Sequence, residues 1–310
     1  MKQFLQVINH RDFVLVLALV VGFILGERTQ PLAEISIWTL ALVMVFSTTG
    51  FSFRSWIPLK NALIPFAISA LLNFGLFGVV IISLSWLFFQ DAYFSFYVGL
   101  VLVAAAPPGP SVVPFSALIN GDNNFAVTGV FGLHLLAMLL TPAILLVFLG
   151  QALINPVKIF QIMAQLILTP LIISRILRHP RILPKVESIR NTVIKWGFFL
   201  VIVPIVGMSA PVFFDEPMSV LKISGVVFFA MFIMGSVYHY AMIKMGRDRG
   251  FIISSTLMMV IKSSAFAAVA AFTFFSDDAR VALPAAVVSV FVTLFIIFYA
   301  MLVRYSDRKS

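Results

Sequence analysis

AAAPPGPSVVPFS, residues 104–116, interrupts an apolar segment that is otherwise long enough to cross a membrane. Pro107, Pro108 and Pro110 carry no amide hydrogen, and each disfavours helical geometry in the residue before it, so a straight helix cannot run through Gly109. Carbonyls lose their intrahelical partners there. In hydrocarbon such groups are tolerated only where protein buries them or water reaches them, which puts the break inside the molecule or on a cavity. Discontinuous helices of this kind are a signature of secondary transporters. A second stretch, MVIKSSAF at residues 259–266, sets Lys262 in an apolar run bounded by Arg249 and Asp277. Either end lies roughly 20 Å of helix rise away, too far for simple snorkelling. Inserting an ionisable group at that depth costs about 2.5–3.5 kcal/mol, so Lys262 reads as functional.

Composition agrees with a membrane protein. Hydrophobic residues make up 61% of the chain, charged ones 11%, and the mean hydropathy is +1.09, well beyond a soluble domain. There is no cysteine, which excludes disulfides, thiolate metal sites and cysteine nucleophiles. The four histidines are scattered, no carboxylate lies within an apolar run, and no phosphate-binding glycine loop is present. ATP hydrolysis and intramembrane metalloproteolysis therefore lack their residues. No cofactor or metal centre is implied. The net charge of +9 is distributed between apolar runs, so it reads as topology signal and not as a nucleic-acid surface. The polar start before Phe13 lacks the pattern of a cleaved signal peptide, and the first apolar run is expected to stay as a span.

Apolar runs bounded by charge, Pro or Asn predict ten membrane spans, at residues 12–26, 34–53, 61–89, 94–119, 124–150, 156–177, 191–213, 218–245, 250–276 and 280–304. Charge tests this independently. With a cytoplasmic N-terminus, one side collects Lys2, Arg11, Arg54, Lys60, Arg178, Arg181, Lys185, Arg190, Lys244, Arg247, Arg249, Arg304, Arg308 and Lys309. The other holds Arg28, Lys158 and Arg280 with the acids Glu27, Glu34, Asp91, Asp215, Glu216, Asp277 and Asp278. That asymmetry predicts both termini inside a plasma (inner) membrane. The basic stretch 175–195 reads as a cytoplasmic loop.

Ten spans divide into residues 1–150 and 151–310, and because five is odd the second half is expected to be inverted relative to the first. Interrupted spans four and nine occupy corresponding places. The fold class is therefore an all-α membrane protein of two inverted five-helix repeats.

In order and spacing, the chain resembles the bile acid:sodium symporter family. The likeness rests on GFSFRSW at 50–56, LLNF at 71–74, APPGPSVVPFSALINGDN at 106–123, Leu140, Thr141 and Pro142, LTPLIISRIL at 168–177 and VIKSSAFAAVAA at 260–271. The resemblance implies a ten-span transporter of organic anions and metabolites. It also implies that broken spans four and nine cross in a core domain, with substrate bound between that core and a four-helix panel. The same resemblance places the sodium-ligand positions of coupled members at Val112, Val113, Ala126, Val130 and Leu257, which ligate nothing. Asn73 stands for a glutamine, and Ile261, Lys262 and Ser263 stand for a Gln-Asn-Ser turn. A hard cation wants about six oxygens, so sodium coupling is not expected. Lys262 is expected to replace the cation, giving proton-coupled or uncoupled transport, because burial disfavours the charged form of a lysine.

The candidate substrate and coupling residues are Lys262, Ser263, Ser264, Pro108, Gly109, Pro110, Ser111, Ser116, Asn73 and His134. The competing structural reading makes Lys262 a plug for open carbonyls, the serines helix caps and Asn73 and His134 interhelical packing. The expected partners are a small anionic substrate and the lipid bilayer, with no nucleic acid. Retention of sodium by backbone carbonyls, or a non-transporting sensor of the same fold, are the alternatives.

Overall fold

Apolar runs that carry their own backbone hydrogen bonds become helices, the form a single segment needs in hydrocarbon. The computed structural model describes residues 11–50, 59–89, 93–151 and 155–306, and these hold helices and no strand. The charges Lys2, Arg54, Asp91, Arg308 and Lys309, and the GFSFRSW motif after Gly50, lie outside the described residues.

In chain order, α1 is Arg11–Leu25 and α2 is Gln30–Thr49, joined by the 3₁₀ turn Gly26–Thr29. Next come α3, formed by Leu59–Ala70, the π-turn Leu71–Phe77 and Gly78–Phe88, then α4 (Phe94–Ala105), α5 (Val112–Leu118) and α6 (Asn123–Leu149). The second half holds α7 (Pro156–Met163, π-turn Ala164–Leu168, Thr169–Leu177), α8 (Leu183–Asp215) and α9 (Pro217–Phe228, π-turn Phe229–Ile233, Met234–Lys244). It continues with α10 (Arg249–Val260), α11 (Ser264–Phe274) and α12 (Leu283–Ser306). Among the described residues, seven helical stretches are long and apolar enough to cross a membrane, while α4, α10 and α11 are shorter apolar helices. They are short because the two interruptions cut them. Large apolar side chains such as Trp38, Ile64, Trp86, Val147 and Phe214 lie on the outer surface, as lipid-facing residues do.

One expectation needs correction. Residues 183–195 are not loop: α8 begins at Leu183 with proline in its first turn, where a missing amide hydrogen costs nothing. The basic residues Arg190 and Lys195 therefore stand on a helix.

Two sets of helices pack closely within themselves, and the sets also meet where α8 lies against α12, α6 against α7 and α2 against α11. The helix α8 lies against α1 and α2, and α2 against α7. Close approach is built in at Gly207, where a Cβ would stand 2.4 Å from Thr29 Oγ1 and 2.7 Å from the Gly26 carbonyl. The second group packs α3 on α4 and α6, α10 on α9, α6 and α5, and α12 on α4, α9 and α11. Aspartate caps start two of these helices, with Asp122 accepting from Phe125 N at 3.0 Å and Asp248 from Phe251 N at 3.2 Å.

At the opposite end from those caps, Asp278 ties the start of α4 to the start of α12. Its carboxylate accepts from Ser95 Oγ and from Arg280 Nε at 2.9 Å. Burial alone would push this carboxyl up, but the bonds from Arg280 and Ser95 outweigh it and hold it below the usual carboxylate range. A depressed native value means stability that is present above the ordinary aspartate value of about 4 and is lost as pH falls through the lower native one. Asp278→Asn is expected to melt below the parent at pH 7, with the gap closing as pH drops toward about 3. A gap independent of pH in a detergent melting series would rule out this linkage.

Candidate functional site

The site is assembled from two pieces of backbone that cannot be helix. After α4, Ala106 turns extended (φ −65°, ψ 144°) ahead of Pro107, as the residue before a proline does. After α10, Ile261 (φ −88°, ψ 103°) and Ser263 (φ −79°, ψ 86°) leave helical geometry, and Ser263 Oγ caps α11 by accepting from Phe266 N at 3.3 Å. The two extended pieces meet antiparallel at Pro108 and Lys262. Gly109 N donates to the Ile261 carbonyl at 3.2 Å, and Ser263 N donates to the Pro107 carbonyl at 2.9 Å. Each break thus satisfies part of the other's backbone.

Lys262 completes the closure. Its side chain is 2% exposed, and Nζ donates to Asn73 Oδ1 at 2.8 Å, the Ala104 carbonyl at 2.8 Å and the Ala106 carbonyl at 2.9 Å. Three acceptors match the three hydrogens of an ammonium. The faces of Phe74, 4.5 Å away, and Phe77, 6.0 Å away, lie over the charge. Asn73 is held in turn by donating Nδ2 to the Met258 carbonyl at 2.9 Å, and Thr141 Oγ1 donates to the Ala105 carbonyl at 2.6 Å. The last carbonyls of α4, at the negative end of its dipole, are therefore covered by one ammonium and one hydroxyl. The π-turn of α3 supplies Asn73, Phe74 and Phe77 together.

Predicted site residues divide between this closure and its surroundings. Lys262, Asn73, Ser263, Pro108 and Gly109 form the crossing. Ser264 Oγ accepts from Ser289 Oγ at 2.9 Å, and Ser116 Oγ pairs with Ser254 Oγ at 2.7 Å, so both hydroxyls bind neighbouring helices. Pro110 and Ser111 line a cavity of about 710 Å³ between the two helix groups. His134 lies off the crossing and lines a smaller cavity that Pro110 also lines.

Lys262 does not line the large cavity. Among the described residues, the cations that do are Arg190 and Lys195 of α8, which share the wall with Ser47 of α2, Gly50 at its end and Asn123 of α6. The Arg190 guanidinium lies so close to Gly50 that a Cβ there would stand 2.3 Å from Nη2, and its Nε is buried without a hydrogen-bond partner among the described residues. The sequence placed Arg190 in a loop and Lys195 where that loop overlaps the span predicted from residue 191. A helical signal was present, since Arg190, Asn191, Ile194, Lys195 and Phe198 recur at one-face spacing and all five line the cavity. Elsewhere the crossing is apolar: Val112, Ala126 and Val130 are fully buried and Leu257 is 1% exposed. No cluster of three or more His, Cys, Asp or Glu side chains exists among the described residues.

The chain matches the sodium bile acid symporter family over residues 39–214, more than half of its 310 residues. It belongs to that family. A search of curated proteins gave no match. Family membership makes the chain a membrane transporter of the bile acid symporter kind, and the matched span runs through the first break, the large cavity's α2, α5 and α6 walls and most of α8. It ends before Lys262, whose role rests on geometry alone.

Lys262→Met keeps length and removes every donor, leaving Asn73 Oδ1 and two carbonyls unmet. It is expected to lower stability by about 1–3 kcal/mol, the cost of buried acceptors left unmet less the cost of burying the charge. Asn73→Leu, which unseats one Lys262 acceptor and the Met258 carbonyl, is expected to lower it by about 1–3 kcal/mol. Thermal unfolding of purified protein measures both, and a Lys262→Met protein as stable as the parent would show that the carbonyls need no cation.

Proposed function

We propose that the chain is a secondary transporter that carries a small organic anion or amphipathic metabolite by alternating access, without sodium. The observation that carries this reading is the Lys262 ammonium, bonded to Asn73, Ala104 and Ala106 where the two broken helices meet. A fixed positive charge there offsets the half-helix ends as a bound cation would. Around it, Val112, Ala126, Val130 and Leu257 offer no oxygen, against the six or so that a hard cation wants. Three acceptors fit an ammonium and not a neutral amine, so Lys262 is charged in this arrangement of the helices. If it keeps its proton through the cycle, transport is uncoupled or an exchange, and if it releases the proton, transport is proton-coupled.

Alternating access follows the division of the helices. With α1, α2, α7 and α8 as panel and the others as core, the large cavity opens between two bodies that can rock against each other. Residues 1–150 and 151–310 are read as inverted five-span repeats of a ten-span protein, α4–α5 and α10–α11 each counting as one span. Supporting this, the breaks fall in the fourth and ninth spans and π-turns in the third and eighth, α3 and α9, although α7, the sixth, carries a π-turn that α1 does not. Both termini are assigned to the cytoplasmic side of a plasma (inner) membrane from the bias of Arg and Lys to the α7–α8 and α9–α10 turns.

The anion preference rests on Arg190 and Lys195 in the cavity wall, with Lys262 serving the crossing instead of the substrate. The test is uptake of radiolabelled carboxylates into proteoliposomes, in sodium and in choline buffers. Uptake is expected to be the same in both, and Arg190→Gln or Lys195→Gln is expected to lower it at least about tenfold, the worth of one hydrogen bond to a charged group. Uptake that requires an inward sodium gradient would overturn the reading.

A further inference from the structure

Beside the large cavity, α2, α6 and α7 enclose a second one of about 20 Å³, room for a single hydroxyl- or water-sized group. Its walls are mostly apolar, among them Met44, Val130, Leu135 and Leu166. It shares Ser47 and Pro110 with the large cavity, so the two are neighbours along the seam between the helix groups.

One side chain in this wall is built for hydrogen bonding and is left without its second bond. His134 is 9% exposed, and its Nδ1 lies 2.7 Å from the Val130 carbonyl one turn back on α6. A carbonyl only accepts, so Nδ1 carries the proton and the neutral ring presents Nε2 as a bare acceptor. That Nε2 is buried with no partner among the described residues. A buried acceptor left unmet costs about 1–3 kcal/mol, which a donor in the cavity would recover once the ring or its neighbours shift to bring Nε2 to the cavity wall. Thr48, the other hydroxyl-bearing neighbour on α2 apart from Ser47, spends its hydrogen on the Met44 carbonyl at 2.7 Å and offers no donor to the ring.

We propose that this small cavity is a subsite for the far end of the transported molecule, in which His134 Nε2 accepts a hydrogen bond from a hydroxyl carried on an apolar segment. The inference rests on the anion reading above: the charged end meets Arg190 and Lys195, and the chain passes Pro110 to reach His134. The substrate class is then an aliphatic carboxylate with a remote hydroxyl. His134 sets specificity, since a site that offers an acceptor to a hydroxyl rejects the analogue that lacks it.

The test compares straight-chain alkanoates of four to ten carbons with ω-hydroxyalkanoates of the same lengths, as competitors of carboxylate uptake in proteoliposomes. At the length that spans the two cavities, the hydroxy acid is expected to compete about tenfold better in the parent, the worth of one net hydrogen bond of about 1.4 kcal/mol. His134→Leu is expected to bring that ratio to about one, while His134→Gln, which keeps an acceptor oxygen, retains a preference. Melting temperatures check that both variants fold. If hydroxy and plain acids compete equally at every length in the parent, yet Arg190→Gln weakens both, the subsite is wrong and the anion reading stands. If His134→Leu keeps the parent's ratio, the cavity holds a buried water or nothing, and the subsite is also wrong. If no carboxylate competes at all, the anion reading itself fails and takes the subsite with it.

Discussion

A chain that opens two helices inside hydrocarbon has to find new partners for the amides and carbonyls it frees, because no water is there to take them. Here the partners are the other break and one lysine. Pro107, Pro108 and Pro110 remove donors from the first break, which leaves it rich in acceptors. The backbone of 261–263 returns one amide to the Pro107 carbonyl, and Lys262 supplies two hydrogens to the Ala104 and Ala106 carbonyls and its third to Asn73. The lysine is therefore tied to the prolines. A crossing with fewer prolines would need fewer donors, and a crossing with a metal ion in reach would not need an ammonium.

This arrangement separates two jobs, closing the crossing and supplying positive charge to the cavity. Lys262 is spent on two backbone carbonyls and the Asn73 side chain, with its three hydrogens used and two aromatic faces shielding it. The large cavity lies on the other side of Pro110 and Ser111, and among the described residues its positive charge comes from α8. Among those residues, crossing and cavity touch through that short proline-rich segment. Movement of α5 relative to α2 and α8 would change the cavity while leaving the lysine's bonds to α3 and α4 in place, which is how a fixed charge is compatible with a moving wall.

Much of this was legible in the sequence, for identifiable reasons. The break at 106–111 is written in prolines, whose effect is local and does not wait for tertiary structure. Lys262 stood out because a charge among apolar residues has few inexpensive explanations. Its choice of partners was not legible, since the Ala104 and Ala106 carbonyls and Asn73 come to it only when the π-turn of α3 and the end of α4 pack together. Arg190 and Lys195 were hidden by an ambiguity: basic residues beside an apolar run look the same whether they mark topology or line a cavity. Their one-face spacing with Phe198 carried the distinction, but only once α8 is known to start at Leu183. His134 was visible as a polar residue in an apolar span. That its second nitrogen has no partner is a property of the packed neighbours alone.

The central claim is that an ammonium stands where a cation would otherwise be needed, and sodium itself tests it. Purified Lys262→Ala leaves a space the size of the lost side chain ringed by the Asn73 oxygen and the Ala104 and Ala106 carbonyls, where a cation would complete its six or so oxygens with water. Its melting temperature, and that of the parent, would be followed as sodium replaces choline at constant ionic strength. A ligand that binds only the native state raises that temperature. The expected result is a parent indifferent to sodium and a variant that melts lower but recovers as sodium rises. A parent stabilised by sodium as much as the variant would contradict the claim, because a cation site would then exist alongside Lys262.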